Sequence, residues 1–199
     1  MSANLTKIAI LISGRGSNME AIVNAINSGK LGAKVCFVGS DNENAKGLQT
    51  AHDFGLKTLI FSYEESGGKN SSKIKAEEDL LRAIHENKAE WLILAGFMRI
   101  LSKKIVKQME GKVINIHPSL LPSFKGAHAI HDALLYGVKI TGVTVHFVDE
   151  FVDSGKIIAQ TAVEIEEDDS LESLSERIHK IEHSLYPETL SKLFVKECK

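Results

Sequence analysis

Five short apolar runs, separated by longer amphipathic stretches, constrain this chain more than any other feature. They are residues 7–12 (KIAILI), 33–39 (AKVCFVG), 57–61 (KTLIF), 90–95 (EWLILA) and 112–116 (KVINI). Continuous apolar character with β-branched residues is what a strand needs when both of its faces are covered. Between the runs lie helical patterns at 18–27, 44–54, 71–87 and 102–109; in the third, Ile74, Leu80, Leu81 and Ile84 mark one face. Alternating strands and helices predict βαβ units, a parallel sheet and right-handed crossovers.

The pattern changes after Pro118. A short helix fits 128–136, closed by Gly137. Residues 140–148 (ITGVTVHFV) and 156–165 (KIIAQTAVEI) read as two strands joined by the acidic loop 149–155. The first alternates apolar and polar residues, which predicts an antiparallel edge of a mixed sheet. Asp168-Asp169-Ser170 signals a helix start, and Leu174, Ile178, Ile181 and Leu185 form the stripe of the helix that follows. No linker is long enough to separate domains, so 1–199 reads as one. The segment 66–72 (SGGKNSS) is the best candidate for a flexible surface loop.

Composition narrows the partners. A net charge of −2 without a basic block argues against nucleic acid. Cys36 and Cys198 are the two cysteines, too few for a disulfide framework or a metal knuckle. The first seven residues lack signal-peptide features, and no apolar run approaches the ~20 residues of a membrane helix. A small-molecule partner and a reduced cytoplasm are the expectation.

The first strand runs into Ser13-Gly14-Arg15-Gly16-Ser17-Asn18, and a helix follows. Glycines let the backbone turn tightly and approach a ligand, and the helix N-terminus offers free N–H groups to a phosphate. A plain capped turn is the competing reading. A dinucleotide fingerprint fails because Met19 stands where the third glycine belongs; no P-loop or nucleophile elbow is present.

Strand five ends in Asn115-Ile116-His117-Pro118. Alternate strand residues share a face, so Asn115 and His117 project together at a carboxyl end, where open α/β sheets bind ligands. Asn supplies a neutral donor and His a proton acceptor near neutral pH. Asp153 is placed to orient the imidazole, and the three together suit acyl transfer. Structural hydrogen bonds at a strand end are the alternative. Other features have plainer readings. His179-Lys180-Ile181-Glu182-His183 fits H-x-x-E-H, but the surrounding pattern is wrong for a zinc protease, and no metal is expected. His128 and His131 read as capping or surface residues, His146 as buried with a satisfied ring nitrogen, and Trp91 as core. The acidic run 164–169 reads as a solvated connection.

Four motifs taken together are specific: LISGRGSN (11–18), LAGFMRILS (94–102), NIHPSLLPSFKGAHA (115–129) and GVTVHFVDEFVDSG (142–155). In this order, and across essentially the whole chain, the sequence resembles the folate-dependent formyltransferases. The resemblance implies a Rossmann-like, mostly parallel twisted sheet flanked by helices, with an antiparallel strand in the C-terminal half. It implies a phosphate-binding half at about 1–100 and a folate-binding, catalytic half at about 101–199. It further implies transfer of the formyl group of 10-formyltetrahydrofolate to the amine of glycinamide ribonucleotide, by a monomer or homodimer, with no metal.

Under that resemblance Asn115 would hold the developing oxyanion, His117 would assist proton transfer, and Asp153 would favour its imidazolium. Gly16, Ser17 and Asn18 would hold the phosphate, and Glu182 would lie near the substrate amine or ribose. Lys73 stands where the family often has a phosphate-binding arginine, and it lacks the bidentate fork. Met98, Arg99, Ile100 and Leu101 would line the folate pocket, and Asp149, Glu150, Phe151, Val152 and Asp153 would close over the pterin. Hydrolases of the same folate, and enzymes formylating methionyl-tRNA or sugar nucleotides, are the nearest alternatives. Those families commonly carry extra domains that are not seen in this sequence. A noncatalytic folate- or phosphoribosyl-binding module is the alternative from another class.

Overall fold

In the computed structural model, which describes residues 5–63 and 69–197, thirteen elements form a helix-flanked sheet. Residues 66–68 of the expected loop, and Cys198, lie outside the described residues; residues 69–72 belong to a helix rather than to a loop. In chain order the elements are β1 (Thr6–Ile12), α1 (Ser17–Asn27), β2 (Ala33–Ser40), α2 (Lys46–Asp53), β3 (Thr58–Ile60), α3 (Lys69–Glu86) and β4 (Trp91–Leu94). Then come α4 (Lys103–Gln108), β5 (Val113–His117), α5 (Ala129–Tyr136), β6 (Ile140–Phe147), β7 (Ile157–Glu164) and α6 (Leu171–Glu197).

The sheet order is β3-β2-β1-β4-β5-β6-β7. Strands β1 to β5 run parallel, and β6 is antiparallel to both β5 and β7. The apolar runs become strands because both faces are covered. Ile8, Ile10 and Ile12 of β1 pack with Met19 and Ile22 of α1 and with Ile178, Tyr186 and Phe194 of α6. Ala9 and Leu11 face the other way, onto Ala76 and Leu80 of α3 and Ile105 of α4.

The expected position of β6 needs correction. It is an interior strand, buried from Thr141 to His146, and β7 holds the edge. Its apolar residues Val143 and Val145 join the core beneath α6. Its Thr144 faces a protein loop rather than water. Thr144 Oγ1 donates to the Ser119 carbonyl at 2.6 Å and accepts from the Leu121 N–H at 3.1 Å. Alternation along this strand therefore marks a side on which Thr144 is satisfied by protein partners, which the pattern alone does not distinguish from a solvated face.

Candidate active site

The chain winds outward through β1, β2 and β3 and then returns to lay β4 against the other side of β1. Reversals of this kind leave a crevice at the carboxyl ends of the flanking strands. Two cavities open there, of about 340 Å³ and about 300 Å³. They share Gly96, Met98, Ile116 and Pro118 in their walls.

The larger cavity is built on the glycine turn, and all of residues 13–18 line it. Gly16 caps α1 in the left-handed region, at φ 78°, without a side-chain cap. A Cβ on Gly16 would also stand 2.8 Å from Gly47 Cα, so glycine is required both by conformation and by space. Asn18 donates its amide to Glu182 Oε2 at 2.9 Å. Burial pushes the Glu182 carboxyl up to about 7, with the Asn18 hydrogen bond pulling in the opposite direction. His179 joins the same wall. Burial, then His183 and Arg15, lower its pKa, which keeps the ring neutral. Gly16, Ser17, Asn18 and Glu182 therefore meet at one cavity as expected. Lys73 does not line it; it lies on α3 with Nζ 3.9 Å from Glu77 Oε1. Arg15 and His179 do line it, and sequence reasoning assigned neither one to a ligand. The signal for His179 was present: it sits three residues before Glu182, on the same helix face.

The smaller cavity carries the polar trio. Asn115, His117 and Asp153 all line it. His117 Nε2 lies 2.8 Å from the Phe124 carbonyl, and its Nδ1 lies 3.4 Å from Asp153 Oδ2. A carbonyl only accepts, so Nε2 carries a proton; Nδ1, which faces Asp153, is a bare acceptor in the neutral ring and an ion-pairing donor in the imidazolium. Asp153 is held in place by the Gly126 N–H, which donates to its Oδ2 at 2.8 Å. It takes a left-handed backbone conformation, φ 47°, uncommon for a residue with a side chain.

A second histidine fixes Asn115. His146 Nδ1 lies 2.9 Å from the Phe147 carbonyl, so Nδ1 carries the proton and Nε2 is left to accept. Asn115 Nδ2 sits 3.2 Å from that Nε2 and donates to it. Burial holds the His146 pKa down, which preserves the accepting form. One Asn115 amide hydrogen is thus committed to His146, and the other remains for a ligand. The bland reading of His146 as a buried, satisfied ring describes it correctly and misses the orientation it imposes on Asn115. The Phe124 carbonyl was likewise invisible, because a backbone oxygen leaves no residue signature.

Met98, Arg99, Ile100 and Leu101 form one wall of the smaller cavity, and Asp149, Glu150, Phe151, Val152 and Asp153 form another. Arg99 Nε is anchored on Asp41 Oδ2 at 2.6 Å, with its guanidinium 5.5 Å from the centre of the Tyr63 ring. Lys103 of α4 reaches Glu150 at 2.7 Å and ties the acidic loop to the helix behind Leu101. Among the described residues, no group of three or more His, Cys, Asp and Glu side chains is arranged to hold a metal ion. No helix of the described residues is long and apolar enough to cross a membrane.

Comparison with known proteins places this geometry among relatives. Residues 6–190 match the family described as Formyl transferase. The chain is 40% identical over 189 residues to the phosphoribosylglycinamide formyltransferase of Bacillus subtilis (strain 168), covering 95% of each. It is 43% identical over 190 residues to the trifunctional purine biosynthetic protein adenosine-3 of Gallus gallus, covering 96% of this chain but only 18% of that far longer protein. A crystal structure of phosphoribosylglycinamide formyltransferase from Bacillus halodurans superposes with a TM-score of 0.91 at 39% identity, over 96% of this chain and 97% of the other.

Proposed function

This chain belongs to the formyl transferase family, and from that membership we propose that it transfers the formyl group of 10-formyltetrahydrofolate to the amine of 5′-phosphoribosylglycinamide. The products would be formylglycinamide ribonucleotide and tetrahydrofolate, in purine biosynthesis. The observation that carries the reading is the pair of cavities with a common wall, one built on a phosphate-type turn and the other holding Asn115, His117 and Asp153. The bacterial relative and the superposed structure, both phosphoribosylglycinamide formyltransferases, support the same acceptor. We take the enzyme to be cytoplasmic and to act as a monomer or homodimer.

The phosphate would sit on the first-turn N–H groups of α1, with Ser17 and Asn18 beside it and Arg15 supplying charge. Glu182 and His179 would face the ribose and glycinamide portion. The folate would occupy the smaller cavity, between the 98–101 wall and the 149–152 loop. The acceptor amine attacks the formyl carbon, a C–N bond forms, and the carbonyl electron pair moves onto oxygen. The free Asn115 N–H would meet that oxyanion. The nitrogen that attacked must lose a proton, and His117 Nδ1 is the ring position able to take it. Asp153 then faces the imidazolium. Collapse of the intermediate breaks the bond to N10 of the folate, and N10 takes up the proton.

The test is consumption of 10-formyltetrahydrofolate, followed by absorbance with and without phosphoribosylglycinamide. Consumption only in the presence of the ribonucleotide, with formylated product, is expected. Consumption without any acceptor would mean a hydrolase, and no consumption with the ribonucleotide present would overturn the reading.

A further inference from the structure

In-line attack requires the acceptor amine and the formyl carbon to be held about 3–3.5 Å apart, although each ligand sits in its own cavity. The spacing between them is set by whatever fixes the shared wall. Two of its residues, Ile116 and Pro118, flank His117 at the end of β5. The other two, Gly96 and Met98, belong to the loop after β4, which has no strand neighbour of its own.

That loop is held by Ser13. The β1–β4 ladder continues past the strand ends: the Ala95 N–H donates to the Leu11 carbonyl at 2.8 Å and the Ser13 N–H to the Gly96 carbonyl at 3.0 Å. The next rung is made by a side chain, with the Met98 N–H donating to Ser13 Oγ at 2.8 Å. Ser13 is also the first residue of the glycine turn and lines the larger cavity. One hydroxyl therefore ties the turn that would hold one ligand to the loop that would hold the other.

We propose that Ser13 is a positioning residue that sets the distance between the two substrates, through its bond to the Met98 N–H. The proposal rests on the formyl-transfer reading above. In this role Ser13 would touch neither reacting atom, so its removal should spare binding of each substrate taken singly and impair their alignment. Met98 is exposed, so water can satisfy its N–H in a variant and the fold should survive. A displacement on the order of 1 Å is enough to slow an aligned reaction by about 10²-fold.

The experiment is steady-state kinetics with 10-formyltetrahydrofolate and phosphoribosylglycinamide on the wild type, Ser13→Ala and Ser13→Thr. For Ser13→Ala, kcat should fall by roughly 10- to 100-fold, with both KM values within about twofold of wild type. Ser13→Thr, which keeps the hydroxyl, should recover most of kcat. An unchanged kcat in Ser13→Ala, a loss confined to KM, or a threonine variant as slow as the alanine one would each overturn the role. A wild-type enzyme without turnover would overturn the parent reading itself, whereas an active wild type matched by Ser13→Ala would overturn only the positioning role.

Discussion

The two ring nitrogens of His117 have different partners, and so do those of His146, which leaves each ring with one fixed job. In His117 the Nε2 proton goes to the Phe124 carbonyl, so Nδ1 is the working atom. In His146 the Nδ1 proton goes to the Phe147 carbonyl, so Nε2 accepts from Asn115. If the remaining Asn115 hydrogen meets the oxyanion, Asn115→Ala should lower kcat by roughly 10²–10³-fold, as loss of one such donor does elsewhere. A turnover number left unchanged in single-turnover assays would sink that role. Glu182 supplies a second residue-scale prediction, this one in pH. Its carboxyl is raised from 4.5 to about 7 by burial, so between those values the folded chain binds a proton that the unfolded chain has released. Folding is then favoured by acid. The contribution is complete below 4.5 and is lost as pH rises through about 7. With about 1.4 kcal/mol per pKa unit, the swing is on the order of 3 kcal/mol. Urea unfolding at pH 5 and pH 8 should show wild type losing more stability over that interval than Glu182→Gln; equal losses would contradict the assignment. The positions of Asn115 and His117 were legible in the sequence, because a period of two at a strand end puts both on one face. Asp153 was also named from the sequence as the carboxylate beside the imidazole, but the two carbonyls and His146 were not, because backbone oxygens and a residue on a neighbouring strand are brought in by tertiary structure.

At the scale of elements, the N-terminus of α1 is shaped by α2 as much as by its own sequence. Gly47, in the first turn of α2, donates its N–H to the Gly14 carbonyl at 3.0 Å and lies against Gly16. A Cβ on Gly47 would meet Ile12 Cδ1 at 2.6 Å, Gly16 Cα at 2.9 Å and the Arg15 carbonyl at 3.1 Å. Two of those three contacts are backbone atoms of the turn that would hold the phosphate. Gly47→Ala should therefore cost about 1–3 kcal/mol as an overpacked contact. It should also raise KM for the phosphorylated substrate more than KM for the folate. Thermal melts and the two KM values check it, and equal KM changes would argue that Gly47 matters to the fold alone. The glycine turn itself stood out in the sequence as strand, turn and helix. The glycine it packs against is about thirty residues away in the chain, and nothing local marks it. The edge reading of β6 failed for a related reason: period-two polarity reports which side is polar, and only the loop at 118–122 decides whether that side is wet.

For the molecule as a whole, the division into a phosphate-binding half and a folate-binding half describes ligands more than folding units. One sheet runs through both, and β4 and β5 pair directly across the division. The last helix, α6, packs against α1 of the first half and against β6 and β7 of the second. Tyr186 on that helix is fully buried, and its hydroxyl lies 3.0 Å from both the Leu94 carbonyl of β4 and the Ile114 carbonyl of β5. Trp91, the single tryptophan, sits in β4 with its ring centroid 5.4 Å from that of Phe194 on α6. Its fluorescence therefore reports the packing of the C-terminal helix on the N-terminal half, while far-UV circular dichroism reports helices and strands throughout. If the halves share one core, both signals should follow the same urea transition, with one midpoint and one slope, as two-state domains do. Truncation near residue 100 would then leave β4 without β5 and without α6, and neither fragment should unfold cooperatively alone. A fluorescence midpoint clearly below the dichroism midpoint would mean that α6 leaves before the sheet breaks. In that case the larger cavity would lose the wall that His179 and Glu182 give it while most of the fold remained.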